Sequence, residues 1–444
     1  MKRYQNIVRN SKFLSNTSWI VIGQLANMLI SFIIGVLTVR YLGPTDYGVL
    51  NYIYSYIAFF SSLTGLGLNG VIIYEFVKNH NEEGEILGTA IILRLIVGLI
   101  SSLSFLALVR FTDGSDSKIM NVAILQSIQL PFTALNTVNF WYQSKLMSKH
   151  SVIIQLISFV LMSIYRIFLL LYHKGVEWFA FATTLDVIIV GLLFIFSYFR
   201  HSQQKLRVSK IIAKRILKSC LPFIFANIMV IIYGQIDKIM IKFLLRSMDE
   251  VGLYSSALTI CGIIGFLPSA ILDSARPVLI ESKGISESLY QIRTRQLFAA
   301  IFWICLIYSI LICLFAKSII LLLFGKEYIA SLNCLRIAVW YTAFSYLGGA
   351  RSVWLICENK NKYVALFSFM GAITNVFLNY ILIPMWGIEG AALATLLTQI
   401  LSNLIYPSFL KTTRQYSRYA IDAILLRNIQ LHQIAKLLRI RIIK

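Results

Sequence analysis

Charged side chains inside long apolar runs are the residues of this 444-residue sequence that could do chemistry. Six are cationic and two are acidic: Arg94, Arg166, Lys238, Lys242, Arg336 and Arg351, with Asp186 and Asp237. An ionised group at a bilayer centre costs roughly 2.5–3.5 kcal/mol, so such groups usually face a wet cavity or a partner. Guanidinium and ammonium groups bind phosphate and carboxylate oxygens. The cationic excess therefore favours an anionic ligand, since an organic cation would need carboxylates.

These charges differ in their depth along the apolar runs. Lys242 and Arg351 lie near the ends of their runs, where a long basic side chain also reaches the headgroups. Arg166 and Arg336 lie deeper and favour a place in a cavity. Arg94 lies between the two cases. We expect Arg94, Arg166, Arg336, Lys238 and Arg351 to be the substrate-binding candidates.

The two intramembrane acids are the candidates for ion coupling or for a counter-charge in the cavity. Asp237 and Lys238 are neighbours, about 100° apart around a helix, so they need not pair with each other. Asp186 lies in a different apolar run. Polar uncharged residues in the runs are more often contacts between helices than ligand contacts.

Catalytic, nucleotide-binding and metal-binding patterns are not found in this sequence. Gly65–Gly70 matches the GxGxxG pattern, but it ends an apolar run and does not follow a strand. There is no P-loop, the five histidines form no ligand set, and the six cysteines include no CxxC pair. We expect no enzyme activity, no cofactor and no metal.

The elements that must position these charges are about twelve transmembrane helices. Apolar residues make up 58% of the chain and charged residues only 14%, against roughly 25% charged in a soluble domain. Each apolar run is long enough to cross a bilayer as a helix. The runs are 18–39, 48–68, 87–109, 119–138, 151–172, 177–199, 221–245, 252–272, 297–323, 331–356, 363–384 and 388–410.

The basic residues between the runs predict the orientation of the chain. If the N-terminus is cytoplasmic, 28 Lys and Arg fall on the inner side and seven on the outer side. This bias predicts that both termini are inside. It also explains the net charge of +22 without a nucleic-acid partner. The tail from about Ala420 to Lys444 interleaves apolar and basic residues, which is typical of an amphipathic helix on the inner leaflet; a partly disordered basic tail is the alternative.

The two halves of the chain repeat each other. The segment from Gly175 to Leu185 shares six of eleven residues with the segment from Gly387 to Leu397, at an offset of 212. Trp141 aligns with Trp354 at an offset of 213. Equivalent helices lie six apart, so both copies have the same orientation. This is the parallel repeat of transporters that hold substrate between their lobes.

The repeat predicts the domain organisation. We expect an N-terminal six-helix lobe at 1–200, a basic cytoplasmic linker at 201–218, a C-terminal six-helix lobe at 219–410 and a basic amphipathic tail at 411–444.

Several short stretches resemble bacterial polysaccharide flippases of the O-antigen (Wzx) type. They are Arg40-Tyr-Leu-Gly43-Pro44-Thr-Asp46-Tyr47-Gly48, Phe140-Trp141-Tyr-Gln143, Pro222-Phe223, Ile236-Asp237-Lys238-Ile239 and Val251-Gly252-Leu-Tyr254-Ser255. That family belongs to the superfamily of multidrug (MATE), oligosaccharidyl-lipid and polysaccharide exporters. Asp237 falls on the acidic position usual in helix 7 of the family.

The resemblance implies a MATE-like fold and a function. The expected function is transport of an undecaprenyl-diphosphate-linked oligosaccharide, a repeat unit of O-antigen, lipopolysaccharide, capsule or exopolysaccharide, across the bacterial inner membrane. The implied partners are this lipid-linked substrate, membrane lipids, and the polymerase and glycosyltransferases of the same pathway. The alternatives are a cation-coupled multidrug exporter of the same fold and a membrane scaffold that transports nothing.

Overall fold

The computed structural model describes residues 2–202 and 204–427, and it describes only the backbone of 2–29, 69, 222–223 and 225–227. Within these residues the regular structure is entirely helical. Each predicted apolar run lies on helix over most of its length. The expected all-α membrane fold is therefore confirmed. Helices suit a membrane because they satisfy within one segment the backbone hydrogen bonds that lipid cannot form.

The first half of the chain contains nine α-helices. They are α1 (Lys2–Thr64), α2 (Leu68–Lys78), α3 (Glu83–Asp113), α4 (Ser117–Ser127), α5 (Gln129–Phe132), α6 (Thr137–Ser144), α7 (Ser148–Leu171), α8 (Val176–His201) and α9 (Lys210–Leu245).

The second half contains eight more among the described residues. They are α10 (Met248–Gly262), α11 (Phe266–Ile285), α12 (Glu287–Leu323), α13 (Leu332–Ala338), α14 (Tyr341–Cys357), α15 (Lys362–Ile400), α16 (Tyr406–Phe409) and α17 (Arg414–Ile424). A π-helical turn, Leu401–Ile405, joins α15 to α16.

Six helical stretches in the described part of the chain are long and apolar enough to cross a membrane. They are His80–Asp113, Ser148–Leu171, Val176–His201, Met248–Ile285, Glu287–Leu323 and Lys362–Phe409. The last is 48 residues long and contains two of the predicted spans. The chain is a multi-pass membrane protein.

Two of the helices contain sharp breaks where one predicted span passes into the next. In α1 the break is at Gly43, with φ 70° and ψ 173°, followed by Pro44. In α15 it is at Gly387, with φ 57° and ψ −136°. A positive φ strains residues that carry a Cβ, so glycine suits both positions. The Gly43-Pro44 pair of the family-like motif therefore has a geometric role.

The chain divides into two compact units. The N-terminal unit is Met1–Ile239 and the C-terminal unit is Met240–Lys444. In the N-terminal unit, Trp141, Tyr142 and Tyr198 belong to one apolar core. In the C-terminal unit, Trp354 and Tyr416 belong to another. Each unit therefore buries its own aromatic core.

An ion pair lies near the repeated tryptophan in each unit, with the charges exchanged. In the N-terminal unit, Lys145 Nζ lies 2.5 Å from Glu83 Oε1, at the start of α3. In the C-terminal unit, Lys283 Nζ lies 2.6 Å from Glu358 Oε1. Positions 145 and 358 are separated by the same 213 residues as the tryptophans. Glu83 and Lys283 are 200 residues apart and lie on α3 and α11, so only the partner that follows the tryptophan occupies an equivalent position, and there the sign of the charge is reversed.

Part of the predicted linker packs along the first turns of α3. A Cβ on Gly84 would lie 2.4 Å from the carbonyl oxygen of Lys205, and one on Gly88 would lie 2.4 Å from that of Arg207. Arg207 N donates to Gly84 O at 3.3 Å. Only glycine permits this approach of two backbones. Residues 204–209 are therefore attached to the N-terminal unit.

The amphipathic helix of the C-terminal region begins earlier than the predicted start near Ala420. It is α17, and it packs against α12 and α14 with Tyr416, Tyr419 and Ala423 buried. The predicted segment beyond residue 427 lies outside the described residues. The part of α17 that carries Tyr416, Tyr419 and Ala423 is therefore covered by protein.

Candidate substrate-binding charges

The seven charged residues predicted to form a site divide between the two units. Arg94, Arg166, Asp186, Asp237 and Lys238 lie in the N-terminal unit, and Arg336 and Arg351 lie in the C-terminal unit.

Lys238 and Asp237 are buried within the N-terminal unit, with 8% and 5% of their surfaces exposed. They lie on α9, close to the part of α1 that follows the Gly43 break. Lys238 Nζ donates to Gln235 Oε1 at 3.2 Å and to Asn51 Oδ1 at 3.5 Å. Ser55 Oγ donates to the same Gln235 oxygen at 3.4 Å. We call Asn51, Ser55, Gln235, Asp237 and Lys238 the Lys238 cluster.

The chemistry of the Lys238 cluster suits an anion. An ammonium group has three protons to donate, and a buried one needs compensation. The two acceptors of Lys238 are neutral amide oxygens at long distances, and the charge of Asp237 also acts on Lys238. The Tyr54 ring centroid lies 5.9 Å from Nζ, within the range of a cation–π contact. A phosphate oxygen would be a stronger partner for this ammonium than either amide.

Arg166 and Asp186 interact across α7 and α8. Both are half-buried, and the charge of Asp186 acts on Arg166. Ser158 Oγ donates to Asp186 Oδ1 at 2.6 Å, which orients the carboxylate. The structure thus brings one predicted cation and one predicted acid together in the N-terminal unit.

Arg94 is held by neutral acceptors in the N-terminal unit, with 7% of its surface exposed. Its Nε donates to Thr64 O at 3.0 Å, and one terminal nitrogen donates to Thr137 Oγ1 at 2.8 Å. Thr64 is the last residue of α1, and a cation at a helix C-terminus is favourable. Arg94 therefore joins α3 to α1 and α6.

Arg351 is similarly buried in the C-terminal unit, with 5% of its surface exposed. A terminal nitrogen donates to Ser402 O at 2.5 Å, and the guanidinium lies 4.9 Å from the Phe367 ring centroid. Ser402 belongs to the π-helical turn, where the regular backbone bonding is interrupted. Arg351 thus satisfies a carbonyl of that turn.

Arg336 differs from the other candidates because it is exposed on α13. Among the side chains that the structure describes, no acidic group forms an ion pair with Arg336.

A buried hydrogen-bonded chain of tyrosines was not anticipated from the sequence. Tyr52 donates to Asp113 Oδ2 at 2.7 Å, and the Tyr52 and Tyr56 hydroxyls lie 3.2 Å apart. Tyr52 is fully buried and Tyr56 is 6% exposed. The spacing of four residues places both rings on one face of α1, which the sequence could have indicated. Asp113 is 61 residues from Tyr52, so the sequence could not have indicated this partner.

The aspartate of the family-like motif after the Gly43 break forms an ion pair. Asp46 Oδ1 accepts from Lys118 Nζ at 2.8 Å, which connects the second part of α1 to the start of α4. This hydrogen bond raises the pKa of Lys118 above its ordinary value. Asp46 therefore has a structural contact inside the N-terminal unit.

The comparisons with known proteins concern family and fold. The family model described as "Polysaccharide biosynthesis protein" matches residues 13–283, and the model named MatE matches residues 222–381. An uncharacterized membrane protein of Methanocaldococcus jannaschii is 28% identical over 194 residues, which is 43% of this chain and 44% of that protein. The match thus spans less than half the length of this relative.

Solved structures share the fold at low identity. An inward-facing multidrug resistance MATE family transporter of the MOP superfamily has a TM-score of 0.71 at 15% identity, over 90% of this chain and 98% of its own. The lipid II flippase MurJ in an inward closed conformation has a TM-score of 0.70 at 14% identity, over 91% and 90%. At such identity these matches show the fold alone, and they confirm the expected MATE-like architecture.

Proposed function

We propose that this chain, which belongs to the polysaccharide biosynthesis protein family, is a flippase for an undecaprenyl-diphosphate-linked oligosaccharide. It moves this lipid from the cytoplasmic to the outer leaflet of a bacterial inner membrane by alternating access. The cargo is a repeat unit of O-antigen, capsule or exopolysaccharide. The polymerase and glycosyltransferases of the same pathway would then be its partners.

The Lys238 cluster is the observation that carries this proposal. It lies wholly within the segment that the family model matches, and it buries a cation beside neutral acceptors. A diphosphate has the charge and the oxygens to replace those acceptors. Lys238 would hold the diphosphate, and Asp237 would balance the charge when no cargo is bound.

The remaining candidates have distinct proposed roles. Arg166, which shares its surroundings with Asp186, and the exposed Arg336 would contact the diphosphate or acidic sugars. Asp186 would compete with the cargo for Arg166 or take part in ion coupling. Arg94 and Arg351 would support the helices through their carbonyl partners, although the sequence suggested that both bind substrate.

The test is complementation of a deletion strain, with surface glycan measured at matched protein level. Lys238→Met should reduce surface glycan about 10- to 100-fold, since a charge-assisted hydrogen bond contributes about 1.5–3 kcal/mol. Lys238→Arg keeps the charge and should retain most of the activity. Lys326→Ala, which removes an exposed cation, is the matched control. Normal glycan in the Lys238→Met strain would refute the role of this residue.

A cation-coupled drug exporter is the second candidate, because the MatE model matches residues 222–381. Such an exporter needs carboxylates that organic cations can reach. Asp186 and Asp237 are the intramembrane acids, and each lies under the influence of a neighbouring cation. Sensitivity of the deletion strain to cationic dyes, with intact glycan, would favour the exporter. Loss of glycan on deletion with full activity of every charge variant would favour a scaffold.

A further inference from the structure

A basic groove in the C-terminal unit lies outside the candidate site. It has a volume of about 640 Å³ and lies between the start of α12 and α17. Four basic residues line it, with one acid: Arg295, Lys411, Arg414, Arg418 and Asp422. We propose that this groove binds the phosphate headgroup of an anionic phospholipid.

The position of the groove along the chain matches the headgroup layer. Lys411 directly follows the last apolar run, and Arg295 precedes the run at 297–323 by two residues. The end of one apolar run and the start of another therefore lie at the groove. The charge bias predicts that this side is cytoplasmic, where anionic lipids attract basic residues at about 1 kcal/mol each.

The contacts around Arg295 leave donors for a ligand. Its Nε lies 3.1 Å from Asp422 Oδ2, and its guanidinium lies 4.7 Å from the Tyr419 ring centroid. Gln415 Nε2 donates to the Tyr419 hydroxyl at 2.6 Å, which holds that ring. Within the described part of the chain, the terminal nitrogens of Arg295 have no other ion-pair partner. The planar group is thus oriented and can form two parallel bonds to phosphate.

The other three basic side chains of the groove are exposed. They are those of Lys411, Arg414 and Arg418. The Arg414 side chain donates from Nε to Ser408 O at 3.2 Å. Ile421, 43% exposed, also lines the groove and offers an apolar contact beside the charges. This combination suits a headgroup with an attached acyl chain better than a free anion.

The test measures binding of phosphatidylglycerol to the delipidated full-length protein in detergent, by native mass spectrometry and by the lipid-induced shift in Tm. The groove variant combines Lys411→Gln, Arg414→Gln and Arg418→Gln. It should bind phosphatidylglycerol about 100-fold more weakly, at about 1 kcal/mol per charge and 1.4 kcal/mol per tenfold. Phosphatidylcholine should bind weakly to both proteins.

A control variant separates the groove from general surface charge. Lys205→Gln, Lys210→Gln and Lys214→Gln remove the same number of positive charges from exposed positions of the N-terminal unit. This variant should stay within about 2-fold of the wild type. Asp422→Asn, which removes the acid from the groove, should tighten binding. An equal loss in the control and groove variants would overturn the proposal, as would equal stabilisation by millimolar glycerol phosphate, which would indicate a soluble anion.

Discussion

The Glu83–Lys145 ion pair yields a prediction that can be worked through from the structure. The Glu83 side chain is 5% exposed and the Lys145 side chain 34%. Trp141 Nε1 also donates to Glu83 Oε2 at 2.9 Å. Removing one partner of a buried ion pair costs about 3–5 kcal/mol. Because Lys145 retains some water, we expect about 3 kcal/mol for Glu83→Lys and about 2 kcal/mol for Lys145→Glu.

The double variant should recover part of this loss. Glu83→Lys with Lys145→Glu restores an ion pair with the sign that the C-terminal unit already has at Lys283 and Glu358. The hydrogen bond from Trp141 is still lost, at a cost of about 1–3 kcal/mol. The double variant should therefore lose about 2 kcal/mol less stability than the sum of the two single variants. A coupling energy of this size is within the range for residues in direct contact.

A thiol-reactive fluorescent dye can follow unfolding of the N-terminal unit. Cys220 is fully buried there, and the other five cysteines follow residue 239. In a background that retains only Cys220, Lys145→Glu should lower the Tm by about 4–8 °C, at about 2–4 °C per kcal/mol. If the losses of the two single variants simply add in the double variant, the two side chains do not form a stabilising pair and the reasoning is wrong.

Three further predictions test other contacts. Arg94→Lys loses one of two hydrogen bonds and should cost about 1–3 kcal/mol in a thermal melt, while surface glycan per molecule of protein stays normal. Burial raises the pKa of Glu358, but the hydrogen bond from Lys283 outweighs burial and lowers this pKa below its ordinary 4.5. The pair therefore stabilises the protein above pH 4.5, and its contribution disappears as the pH falls through the lowered pKa. Glu358→Gln should accordingly reduce the change in Tm between pH 7 and pH 3. Gly88→Ala should cost about 1–3 kcal/mol and increase proteolysis near residues 204–209, whereas Gly234→Ala, with open space around its Cβ, should not.

The helices could be predicted from the sequence because their cause is local. A run of about 20 apolar residues must be helical in lipid, whatever it packs against. The glycine breaks were also visible as Gly43-Pro44 and Gly387, although the sequence did not show their dihedral angles. The repeat was readable because it preserves residues such as Trp141 and Trp354.

The partners of the charged residues could not be predicted because they depend on contacts between distant segments. Arg94 donates to Thr64 and Thr137, which are 30 and 43 residues away. Depth along an apolar run placed Arg336 deeper than Arg351, but in the structure Arg336 is exposed and Arg351 is buried with a carbonyl partner. A one-dimensional pattern gives the distance from a helix end, but not the face that a neighbouring helix covers.

The opposite polarity of the two ion pairs has a consequence for biogenesis. A chain made of two similar halves risks exchanging equivalent helices while it is inserted. If α3 of the first half met the segment after α14, Glu83 would face Glu358, and in the reciprocal error Lys283 would face Lys145. Each wrong combination places like charges together, which costs free energy and disfavours the mistaken partner. The reversed charges at positions 145 and 358 would therefore disfavour an exchange of these two segments between the halves during assembly.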